Sequence, residues 1–118
     1  MLNDNQYDPR AVGVARVLAQ TALGTNARSV YTVPAGRRAE VSSIVVANGH
    51  TSVATLAVYH VRPGESAGVA NAQYAGTRLA NGTTMIDDTP RGMLTGDAIH
   101  ASASVGSVVT LTLYGREI

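Results

Sequence analysis

The sequence contains no cysteine, tryptophan, phenylalanine or lysine. Without cysteine there is no disulfide, no thiol chemistry and no Cys-type zinc site, and the redox compartment leaves no mark on the chain. Without lysine a Walker A loop is impossible, and Gly64, Gly68 and Gly76 do not form a dinucleotide-binding fingerprint. Without phenylalanine and tryptophan the interior must be filled by Val, Leu, Ile, Ala, Met and some of the five tyrosines. Such side chains bury little area each, at ~25 cal/mol per Å² of apolar surface, so a thin core and a benefit from covering further surface between subunits are expected. Charge is scarce too, at 14% of residues with a net charge of +1. That balance lacks the basic excess of a nucleic-acid binder. No run of ~20 apolar residues could span a bilayer, and the polar opening MLNDNQYDPR does not read as a secretory signal.

What is present is β chemistry. The 118 residues suit one domain. Residues 1–28 read as a polar N-terminal arm, Met1 to Arg10, followed by a candidate edge strand in AVGVARVLAQTAL; residues 29–118 read as a β-sandwich domain. Val30–Val33 is a short strand ended by Pro34-Ala35-Gly36. Glu40–Ala47 follows, with Ile44 and Val46 on one face and Val41, Ser43 and Val45 on the other. Asn48-Gly49 and Asn81-Gly82 carry the dipeptide of two-residue hairpins. Ser52–Arg62, Gln73–Ala80, Thr83–Ile86, Ala98–Ala103 and Val108–Tyr114 complete the alternating segments, with loops at 63–68 and 87–92. About eight short strands separated by turns define an all-β class, an antiparallel sandwich or jelly roll.

Catalytic chemistry finds no foothold in the letters. No serine lies in G-x-S-x-G, and the histidines are His50, His60 and His100. His60 and His100 would need neighbouring strands and a carboxylate to hold a metal. The adjacent Asp87 and Asp88 suit a turn, where an aspartate accepts from the backbone N–H two residues on. No enzyme, cofactor or metal is expected. Candidate contact residues are Tyr7 and Arg10 in the arm, the pair Arg37-Arg38, Glu65 in the GESAG loop, and Tyr59 and Tyr74, since arginine and tyrosine favour subunit interfaces.

The phrase VYTVPAGRRAEVSSIVVAN from Val30 to Asn48, the VRPG at Val61 to Gly64 and the closing YGREI together resemble a group of small virion proteins encoded by tailed bacteriophages. The likeness runs from Val30 onward, about three-quarters of the chain. It implies a β-sandwich carried on a phage particle and transfers no catalytic residue. The leading expectation is a capsid decoration or cement protein, a homo-oligomer expected as a trimer, bound to major capsid protein, with neither nucleic acid nor membrane as partner. The alternatives are a tail, collar or baseplate subunit and, from another class, a carbohydrate-binding module presenting Tyr59 or Tyr74.

Overall fold

A computed structural model of the protein describes residues 13–118, and within them the chain is almost wholly β. Nine strands follow in order: β1 (Arg16–Ala22), β2 (Arg28–Thr32), β3 (Ala39–Asn48), β4 (Ala54–Val61), β5 (Ala72–Leu79), β6 (Thr84–Asp87), β7 (Arg91–Met93), β8 (Ala98–Ala103) and β9 (Val109–Glu117). Among the described residues one 3-10 turn, Val69–Asn71, interrupts them. Sheet one has the order β1-β9-β3-β6, with β7 also pairing β3; sheet two has the order β2-β8-β4-β5, and all pairs are antiparallel.

That order is a nested hairpin rolled up. β1 pairs β9, β2 pairs β8, β3 pairs β6 and β7, and β4 pairs β5; rolling then brings β9 against β3 and β8 against β4. Two sheets related in this way are a jelly roll, the architecture in which a long antiparallel ribbon closes on itself and leaves few free edges. The interior matches the composition: Val41, Ile44, Val46, Val109, Leu111 and Leu113 of sheet one face Leu56, Val58, Ile99, Ala101 and Ala103 of sheet two. Tyr31 is the one aromatic among the buried hydrophobics.

Three local expectations are corrected. Val41 is buried with Ile44 and Val46 rather than opposite them, because the pairing of β3 with β9 slips at Ser42 and one extra residue reverses the alternation. The two Asn-Gly dipeptides do not make hairpins. β3 and β4 lie in different sheets, as do β5 and β6, so these turns carry the chain across the sandwich. Asn48 is buried to do so: its Nδ2 donates to the carbonyls of Ser52, Leu79 and Ala80, and its Oδ1 accepts from the His50 N–H. Finally β9 does not stop at Tyr114 but runs to Glu117, since Gly115 permits a backbone approach at which a Cβ would overlap the Glu40 carbonyl oxygen. The sandwich also begins upstream of residue 29, with β1 on the edge of sheet one.

Candidate functional site

Jelly-roll connectivity sends the β2–β3, β4–β5 and β7–β8 connections to one end of the sandwich, where β9 also finishes. Polar side chains gather there. Glu117 at the end of β9 is 6% exposed, and a carboxylate so placed needs partners. It has them from both sheets: the Arg16 guanidinium of β1 donates at 2.7 Å, the Tyr31 hydroxyl of β2 donates at 2.6 Å, and Arg37 stands 3.9 Å away. Burial first, then the bond to the Glu117 carboxylate and its negative charge, push the Tyr31 phenol well above its ordinary value, so it remains a donor. This cluster ties the edges of the two sheets together.

A second pair lies beside it. His60, on the inner face of β4, meets the buried Asp97 of the β7–β8 turn with Nε2 and Oδ2 3.0 Å apart. Burial alone would raise the Asp97 pKa; the His60 hydrogen bond and the Leu94 N–H, which donates to the same oxygen at 3.1 Å, outweigh it and hold the carboxyl below the usual range. The turn is fitted closely: Gly96 has φ +84°, and a Cβ there would press on Pro63 of the β4–β5 loop. Around this pair open two cavities of about 580 and 280 Å³, both lined by His60 and Arg62. The larger continues to Pro63, Leu94, Thr95 and Asp97, and the smaller to Glu65, Ala70, Asn71 and Gln73.

The expected contact residues divide by place. Arg37 and Arg38 lie in the β2–β3 connection, where the Arg37 carbonyl accepts from the Thr95 hydroxyl and Arg38 pairs its backbone with Ile118. Glu65 joins them at this end, its Oε1 accepting from the Arg62 backbone N–H at 3.1 Å. Tyr59 and Tyr74 lie on the strands leading into this end: Tyr59 sits half-buried on the outer face of sheet two, and Tyr74 pairs with Val58 and packs on the core, its hydroxyl accepting from Arg91 at 3.4 Å. Neither ring is fully exposed. Tyr7 and Arg10 lie outside the described residues. His60 and His100 do occupy neighbouring strands, but His60 is opposite Ile99 and His100 opposite Tyr59, so the two imidazoles leave opposite faces. Among the described residues no group of three or more His, Asp or Glu could hold a metal ion.

The outer face of sheet one is built differently. Register aligns Val17, Tyr114 and Ser43 in one row, Gln20, Thr112, Val45 and Ile86 in the next, and Ala22, Thr110, Ala47 and Thr84 in a third. None of these side chains is charged, and Ile86 is 62% exposed. Gln20 lies over Thr112, donating to its hydroxyl at 2.9 Å. Charge returns only beyond the rows, where Arg116 and Glu40 stand 3.6 Å apart.

In comparisons with known proteins, no family model, no curated protein and no solved structure matches this chain.

Proposed function

We propose that this protein is a structural component of a tailed-bacteriophage virion, a head decoration protein that works by adhering to copies of itself and to the capsid surface. The observation that carries the reading is the uncharged outer face of sheet one, which includes the exposed Val17, Tyr114 and Ile86. Flat β faces without charge are stable in water only to a modest extent, and burying them against another subunit releases apolar area from solvent. The sequence likeness from Val30 onward supplies the particle, and the jelly roll is an architecture common among capsid proteins. Fold alone does not assign the role. On this reading each copy lays its uncharged sheet face against a neighbour and adds contact area across capsid junctions, which holds the shell closed against internal pressure.

The experiment is a native mass measurement of the purified protein together with co-sedimentation on expanded capsids. An oligomer, expected as a trimer, that pellets with capsids at many copies per particle is the expected result. A monomer that binds no virion fraction overturns the proposal. Binding confined to a few copies on tails redirects it to a tail or baseplate subunit of the same fold.

A further inference from the structure

The cleft around His60 and Arg62 has an inventory of groups that the structural role does not use. Among the described residues, the Arg62 guanidinium, whose charge acts on Asp97, and the Gln73 side-chain amide make no side-chain hydrogen bond. Glu65 uses one carboxylate oxygen on the Arg62 backbone N–H and keeps the other. Asp97 engages a single nitrogen of His60, so the second ring nitrogen remains. The cleft therefore offers donors from Arg62 and Gln73 and acceptors from Glu65 and Gln73, with one imidazole nitrogen between them.

The balance of charge selects the ligand. One guanidinium faces the carboxylates of Glu65 and Asp97, so no cationic excess draws in a phosphate or carboxylate, and the acceptors would repel one. A mixed set of donors and acceptors without a cationic excess complements a molecule whose neighbouring groups each donate and accept. Vicinal hydroxyls do this. The cavities, about 280 and 580 Å³, are in the range of small-molecule sites and share His60 and Arg62 as a common wall. At the rim stands Val69, 98% exposed in the 3-10 turn next to Ala70 and Asn71, an apolar surface for the C–H face of a ring. The dyad orients the imidazole: the buried Asp97, itself held by the Leu94 N–H, engages His60 through Nε2.

We infer that the cleft formed by His60, Arg62, Glu65 and Gln73 at the loop end of the sandwich is a binding site for a neutral saccharide. Arg62 and Glu65 form a donor–acceptor pair for adjacent hydroxyls, Gln73 reaches a third, and His60 is the oriented contact between the two cavities. This site is separate from the outer face of sheet one and stands whether or not the protein belongs to a virion.

The test is titration of the isotopically labelled full chain, followed by amide resonances, with neutral hexoses, N-acetylhexosamines and their short oligomers, and with inorganic phosphate as the anionic probe. Saturable shifts at residues 60–73 and 94–97 with at least one saccharide, and none with phosphate, are expected. Arg62→Ala and Gln73→Ala change exposed or half-exposed positions and should keep the spectrum of the folded chain. Arg62→Ala is expected to weaken saccharide binding about tenfold or more, the loss of a hydrogen bond to a charged donor. No saccharide response, a response to phosphate alone, or saccharide shifts unchanged in both variants would each overturn the site.

Discussion

Gly115 illustrates how one residue governs a strand. Its neighbours on β9, Tyr114 and Arg116, point outward, while Gly115 faces inward opposite Val41, with the Leu18 side chain and the Glu40 carbonyl crowding the space a side chain would take. Gly115→Ala would force backbone apart from backbone, which no rotamer change relieves. We expect it to cost about 1–3 kcal/mol, read as a lower urea midpoint with an unchanged slope. Gly76 or Gly82, where nothing lies within 4 Å of the added carbon, should not show this packing effect, although their positive φ brings a backbone cost of its own. In the letters, Gly115 reads only as the end of an apolar alternation; the clash that requires it comes from a strand some seventy positions earlier in the chain.

Other single residues were equally opaque for the same reason. Arg62, Asp97 and Glu117 carry no local pattern, and what makes them matter is who stands across from them: Glu117 is met by Arg16 and Tyr31 from two different sheets. Asn48 was visible as a turn residue, yet its buried amide, spanning the carbonyls of Ser52, Leu79 and Ala80, belongs to a corner between sheets. By contrast the alternation of β8 was legible to the residue, because Ile99, Ala101 and Ala103 face the core without a bulge to reset the count.

At the scale of elements, the junction of β6 and β7 is held by a small charged clamp. Asp87 accepts from the Arg91 guanidinium at 2.8 Å and from the Thr89 N–H at 2.9 Å, and these bonds, Arg91 foremost, lower its pKa from 3.8 to about 2. A carboxyl that holds its proton less readily when folded stabilises the fold above its unfolded pKa and loses that contribution as pH falls through the folded value. Screened by solvent, this ion pair contributes about 0.5–1 kcal/mol. Arg91→Ala should therefore be less stable than the parent at neutral pH, and the gap should narrow as the pH drops from 3.8 toward about 2. Thermal unfolding of both proteins across that range checks it. A gap that does not change with pH would assign the loss to the packing of the Arg91 side chain instead.

Elements also show where reading a sequence stops. Strand positions follow from alternation, and turn positions from Pro34, Gly36, Asn48 and Asn81. Pairing does not follow. Of the consecutive strands only β4 and β5 are hydrogen-bonded neighbours; a tight turn and a crossing between sheets use the same glycine and asparagine chemistry. Bulges compound this, since the slip at Ser42 exchanges the faces of β3 halfway along.

For the whole molecule, the two proposed surfaces can be tested separately. A charge placed on the outer face of sheet one, as in Ile86→Asp, touches an exposed side chain and should leave the monomer's unfolding free energy within about 0.5 kcal/mol of the parent. It should nonetheless reduce the oligomeric mass and the capsid binding expected of the parent. Saccharide binding at the opposite feature, the His60 and Arg62 cleft, should be untouched in that variant.

The position of β9 carries one more consequence, for the order in which the chain can fold. It lies between β1 and β3, so the central plank of sheet one is also the last of the nine to leave the ribosome. Until it arrives, β1 lacks its hydrogen-bonded neighbour among the described strands and β3 has one edge open, and the closing step must join residues such as Arg16 and Gly115 across nearly the full length of the polypeptide. Topologies so rich in distant pairings fold slowly, over milliseconds to seconds, and expose sticky edges while they wait. High-level synthesis of this protein thus places its greatest demand on chaperones while β9 is still missing.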